Sequence, residues 1–193
     1  MTEAKLISTL NEENLSSFSK TYVPSRLLLG PGPSNAHPEV LKALSLNPIG
    51  HLDEAYIELM SDVQKLLRYT WQCNNRLTLP MSGTGSAAME ASIANFIEEG
   101  ERILIAKKGY FGDRLVDMAY RYKADVCVIE KDWGEAFTFE EIKYEIETKK
   151  PSIFAIVHAE TSTGVLQPLE GIGEICKKNN CLFLVDAVTS LGA

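Results

Sequence analysis

The residues best placed to do chemistry start at Ser82-Gly83-Thr84-Gly85-Ser86, a glycine-spaced turn that runs into the helical stretch AAMEASIANF. Small residues let a backbone approach an anion, and unpaired N–H groups at a helix start point toward it, so a phosphate group is a natural guest. The hydroxyls of Thr84 and Ser86 add donors. A tight turn that needs glycine for its geometry alone accounts for the same residues. So does GxGxxA from Gly83 to Ala88, a pattern of dinucleotide-binding turns. That reading expects an acid at the end of the next strand, where Lys107-Lys108 stand, a pair suited only to a 2′-phosphorylated cofactor. No lysine follows the glycines as it does in a P-loop.

Asp186 ends an apolar run, CLFLVD. An ionised carboxylate there is costly unless a cation meets it. A protonated pyridine nitrogen would be such a cation, and pyridoxal phosphate (PLP) paired in this way acts as an electron sink. A turn-capping aspartate, accepting backbone N–H groups, is the plainer reading. KKGYFGDR reads as a glycine-flanked loop, with Tyr110 and Phe111 able to stack on a flat cationic ring or simply to pack. HAETSTGVLQPL offers hydroxyls at Thr161, Ser162 and Thr163 that suit a ligand or ordinary turn chemistry. His158 reads as a hydrogen-bonded strand-end residue, His37 and His51 lack partners, and no metal-ligand spacing occurs.

The elements that must position these residues follow from the apolar pattern. Short runs rich in β-branched residues (RLTLPM, RILIA, DVCVIE, SIFAIVH and CLFLVD) predict buried strands. Helices are predicted between them over 86–98, 113–122, 138–149 and 170–179, and earlier over 38–46 and 53–71. The later helix of that earlier pair should have an apolar face of Ile57, Met60, Val63, Leu66 and Leu67. Strand–helix alternation predicts an α/β fold, a mostly parallel sheet with helices on both faces, and ligands bind such sheets beyond the carboxyl ends of the strands. Residues 1–26 read as a polar arm, 27–75 as a Gly/Pro loop with helices, and 76–193 as part of a larger ligand-binding domain.

The composition, 45% hydrophobic and 23% charged over 193 residues, is that of an ordinary globular chain. A net charge of −7 argues against a nucleic-acid partner. Lys107-Lys108 and Lys149-Lys150 read as solvated surface pairs. The N-terminus has neither a signal-peptide pattern nor an apolar span, so no membrane partner is expected. The four cysteines lack CxxC spacing, which suits a reduced, cytoplasmic protein.

Taken in order and spacing, LLLGPGPSN, SGTGSAAMEA, GYFGDR, HAETSTGVLQPL and LFLVDAVTSLGA resemble the class V aminotransferases of the alanine–glyoxylate and serine–pyruvate group. The likeness runs from about Leu27 to the end. It implies a homodimeric PLP enzyme that moves an amino group from a small amino acid, such as alanine or serine, to a small 2-oxo acid, such as glyoxylate or pyruvate. It assigns the cofactor phosphate to Thr84, Gly85 and Ser86 (often histidine in relatives). Phe111, often tryptophan in relatives, falls on one ring face and Val188 on the other. Thr161 falls at the ring's polar edge and Asp186, the catalytic acid, at its nitrogen. Gly32, in the GPGP loop, falls near the substrate. The family's Schiff-base lysine and its substrate-binding arginine would lie beyond Ala193. The chain therefore reads as the N-terminal half of a longer enzyme, inactive alone. A lyase or desulfurase on the same fold, and a non-catalytic subunit of the kind labelled a soluble-hydrogenase small subunit, are the alternatives.

Overall fold

The structure, a computed structural model, describes residues 23–192, so most of the expected arm over 1–26 lies outside the described residues. The chain divides into two compact units, Met1–Leu46 and Asn47–Ala193. In the first, helix α1 (Pro38–Leu44) starts on a proline, whose missing N–H would be unpaired there anyway. In the second, α2 (Glu54–Thr70) is capped by Asp53, which accepts the Ala55 N–H at 2.9 Å. Of its expected apolar face, Met60, Val63 and Leu67 are half-buried, while Ile57 and Leu66 are exposed.

The remaining elements in chain order are α3 (Gly85–Phe96), β1 (Arg102–Lys107), α4 (Tyr110–Arg121), β2 (Asp125–Glu130), α5 (Phe139–Lys149), β3 (Ile153–Val157), β4 (Ala159–Glu160), β5 (Val165–Leu166), α6 (Ile172–Lys178) and β6 (Leu182–Asp186). Strands β2, β1, β3 and β6, in that order, form one parallel sheet. β4 and β5 make a small antiparallel hairpin. Side chains alternate across the sheet. Ile103, Ile105, Ala155 and Val157 pack with α3 and α4 through Met89, Ile93, Leu115 and Ala119. Leu104, Ala106, Phe154 and Ile156 pack with α5 and α6 through Ile142, Ile146, Ile172 and Ile175. Both faces are covered, which is why the strands read as continuous apolar runs rather than alternating ones. Each fully buried isoleucine or leucine contributes about 1.5–3 kcal/mol relative to exposure.

One expected strand does not form. RLTLPM lies outside every sheet among the described residues, and Leu77, Leu79 and Met81 are 83%, 47% and 75% exposed. Its alternation suits a strand, but a strand needs a ladder partner, and β6, at the sheet edge, pairs only with β3. The 82–86 turn thus follows an irregular segment rather than a paired strand.

The strand order positions the site. From β1 the chain passes through α4 to β2 on one side, then returns across β1 to β3 on the other. The connections leaving β1 and β3 diverge, and a crevice opens beyond their carboxyl ends.

Candidate functional site

Four segments meet at that crevice: the start of α3, the start of α4 and the two stretches that follow β3 and β6. Together they line a basin of about 200 Å³ whose walls include Thr84, Gly85, Ser86, Phe111, Thr161, Asp186 and Val188. Sequence reasoning singled out each of these, and the fold brings them together across a hundred residues. Gly32 lies in the first unit, in an exposed bend.

Thr84 is the N-cap of α3, its hydroxyl oxygen accepting the Ala87 N–H at 3.2 Å. The N–H groups of Gly85 and Ser86 find no acceptor among the described residues, so the basin is faced by free donors at a helix start. A Cβ on Gly85 would come 3.1 Å from Val188 Cγ2, so the small residue lets the β6 loop close over the turn. The Arg114 guanidinium donates to Ser86 Oγ and, at 3.0 Å, to Tyr110 Oη. It also sits 5.5 Å from the centre of the Phe111 ring. Arg114 brings a positive charge beside the turn, a residue that the motif reading passed over.

Asp186 is half-buried at the end of β6. Its Oδ1 accepts the Val188 N–H at 3.0 Å, which is the turn-capping role, while Oδ2 takes no hydrogen bond from the described residues. One carboxylate oxygen is thus structural and the other is left without a partner among the described residues. Thr161 Oγ1 lies 2.5 Å from Thr189 Oγ1, joining the β3 and β6 loops. His158 Nδ1 lies 2.8 Å from Ser190 Oγ and its N–H donates to the Asp186 carbonyl at 2.9 Å, the strand-end role expected of it.

Two expectations are corrected here. KKGYFGDR is not a loop: Tyr110 opens α4, and Phe111 is in its first turn. The glycines that read as loop residues are there for clearance. A Cβ on Gly112 would lie 2.8 Å from Lys107 Cβ and 2.9 Å from its Cα, so glycine lets the helix settle on β1. Nor is Lys107-Lys108 a solvated pair. Lys107 bridges Asp113 and Glu130 at 2.9 Å each, hydrogen bonds that raise its pKa. Lys108 is 1% exposed, with Nζ donating to the Val157 carbonyl at 3.1 Å. Burial pushes its ammonium below the usual lysine range, and Glu160 partly offsets that. With both ammonium groups engaged, neither Lys107 nor Lys108 is free for the 2′-phosphate contact that a dinucleotide reading requires of them.

An adjoining hollow of about 430 Å³ shares Gly85, Met89, Asp186 and Val188 but is otherwise walled mainly by apolar residues such as Trp71, Ala88, Leu115 and Leu184. Polar groups converge on the smaller basin, which is the arrangement expected where orientation of a ligand matters.

Residues 27–193 match the family model described as aminotransferase class-V. The chain is 44% identical over 170 residues to mouse alanine–glyoxylate aminotransferase, covering 88% of this chain and 41% of that protein. The crystal structure of alanine–glyoxylate aminotransferase from Nostoc sp. is 61% identical with a TM-score of 0.87, over 90% of this chain and 46% of that one. The ureidoglycine–glyoxylate aminotransferase of Bacillus subtilis is 40% identical with a TM-score of 0.88, over 90% and 45%. The chain spans about two-fifths of the length of the curated relatives it matches.

Proposed function

The chain belongs to the class-V aminotransferase family, and from that premise we propose that its protein transfers an amino group from a small amino acid, alanine or serine, to a small 2-oxo acid, glyoxylate or pyruvate. The observation that carries this reading is the basin itself, where a free carboxylate oxygen, an aromatic ring and two unpaired helix-start N–H groups converge.

These residues suit PLP by the chemistry of their donors. The free N–H groups of Gly85 and Ser86, the Thr84 and Ser86 hydroxyls and the nearby Arg114 guanidinium make an anion site for a phosphate. Asp186 would offer its Oδ2 to a protonated ring nitrogen and hold that proton in place. Phe111 and Val188 would confine the ring, and Thr161 would hydrogen-bond its polar edge. When bound, PLP supplies the electron sink on which amino transfer depends. The basin's largely apolar floor, with Met89 and Val157, limits water there and strengthens the charge contacts.

No lysine among the described residues lines the basin. We therefore expect a polypeptide limited to these 193 residues to be inactive, since the described residues offer no amine at the basin to tether the cofactor and relay the substrate proton. The active protein is proposed to be a homodimer, supported by exposed apolar side chains on α2 and at Leu77, Leu79 and Met81. It is proposed to work in the cytoplasm, where its four unpaired cysteines would stay reduced. Turnover of alanine and glyoxylate to pyruvate and glycine by the full-length protein with added PLP tests the reading. Absence of turnover with any small amino acid and 2-oxo acid pair would overturn it.

A further inference from the structure

Helix α4 carries Phe111 into the basin, yet the residue before it, Gly109, has no side chain with which to cap it. A helix start leaves several backbone N–H groups without partners, and left buried they would be costly. Here they are taken by another part of the chain. The Tyr110 N–H donates to Ser162 Oγ at 3.0 Å, the Phe111 N–H to Glu160 Oε1 at 3.3 Å and the Gly112 N–H to Glu160 Oε2 at 3.3 Å. Asp113 N–H then makes the first intrahelical bond, to the Gly109 carbonyl at 3.1 Å. Ser162 Oγ donates to Glu160 Oε1 at 2.6 Å, and the Ser162 N–H adds a longer bond at 3.3 Å.

Glu160 is 0% exposed, so its charge must be answered within the protein. The positive end of α4 does this together with the buried Lys108. The fit leaves no slack at Gly109, where a Cβ would lie 2.5 Å from Glu160 Cγ and 2.6 Å from Cδ. Thr161, another wall of the basin, sits between the two capping residues in sequence.

We propose that Glu160 is a positioning residue of the site: by clasping the Phe111 and Gly112 amides, its buried carboxylate fixes the Phe111 ring relative to the Thr161 hydroxyl. This rests on the PLP reading, because it is that ligand's ring which the two walls are proposed to hold. Ser162 is the second half of the clasp, and Gly109 is glycine because the carboxylate occupies the space of a side chain.

The test uses the full-length protein and the variants Glu160→Gln, Ser162→Ala, Phe111→Ala and the double Glu160→Gln/Phe111→Ala. In the PLP-free protein, amide exchange at Phe111 and Gly112 should quicken roughly tenfold in Glu160→Gln, because the amide nitrogen of glutamine cannot accept and a charge-assisted bond is lost. PLP affinity should fall by a similar factor of roughly ten, and the induced circular dichroism of bound PLP should weaken as the ring loses its fixed wall. In the Phe111→Ala background the same change should cost less than about twofold, because coupled residues are not additive. Equal losses in both backgrounds would make Glu160 a cap for stability only and overturn the proposal, as would unchanged affinity in Glu160→Gln. If Glu160→Gln does not fold, Ser162→Ala takes its place in the same measurements, with the same results supporting or overturning the proposal, since it leaves no charge unpaired. A wild-type protein that fails to bind PLP would overturn the functional reading and this inference together. A wild type that binds, with variants that bind as well, would overturn the inference alone.

Discussion

The two oxygens of Asp186 differ, with Oδ1 on the Val188 N–H and Oδ2 without a partner among the described residues. The difference predicts an asymmetric cost. In the full-length protein Asp186→Ala should lower the rate of amino transfer by about 10²–10³, the usual effect of removing one preorganised charge. Its stability should fall by only about 1 kcal/mol for the lost turn bond. Steady-state rates beside urea melts check this, and near-normal turnover would remove Asp186 from the ring nitrogen. Gly109 makes the opposite prediction. Gly109→Ala should cost about 1–3 kcal/mol in stability, because the new methyl meets the buried Glu160 and must push the clasp open. A melt unchanged from wild type would show that the clearance is not needed. Most of the basin residues were legible in the sequence because their types carry chemistry at any distance. Glu160 and Arg114 were not, since one acts as a cap on a helix forty-eight residues away and the other through a hydroxyl twenty-eight residues away.

At the scale of elements, local signals worked where the answer is local. Thr138 begins α5 with a capping box: its N–H and hydroxyl donate to Glu141 at 2.8 and 2.9 Å, and Glu141 N–H returns to Thr138 Oγ1. Lys131 adds an ion pair at 2.7 Å. Together the Lys131 contact and the Thr138 bonds hold the Glu141 carboxyl at about 2, below its ordinary 4.5. A depressed folded pKa contributes stability that is fully present above the unfolded value and is lost as pH falls through the folded one. The stability gap between wild type and Glu141→Gln should therefore be constant above about pH 5 and close between pH 4.5 and about 2. A gap that persists at pH 2 would contradict the pairing. Local signals failed where packing decides. RLTLPM has the alternation of a strand and no partner in the sheet, and the two glycines of GYFGDR mark no loop, Gly109 standing at the start of α4 and both being sites of close approach, to Glu160 and Lys107. Read as a helix, that segment places Tyr110 and Arg114 on one face at i and i+4, which would have drawn attention to Arg114.

At the scale of the whole molecule, the four-stranded order β2-β1-β3-β6 sets the position of the crevice, and only the parallel character of the sheet, not its order, was legible from strand–helix alternation. Apolar runs tell that both sheet faces are covered; they do not tell which strand lies beside which. Surface residues Ile57, Leu59, Leu66, Leu77 and Met81 of the second unit are apolar and exposed. The full-length protein is accordingly expected to sediment at twice its chain mass across micromolar concentrations, and a monomer under those conditions would contradict the proposed homodimer.

The most direct measurement is an equilibrium titration of the full-length protein with PLP, with phosphate-free pyridoxal and with NADP. One saturable PLP site per chain is expected, much weaker binding of pyridoxal because the 84–86 donors then meet no anion, and no saturable binding of NADP. Saturable NADP binding that disappears when Lys107 and Lys108 are replaced, with no binding of PLP, would contradict the assignment of the basin.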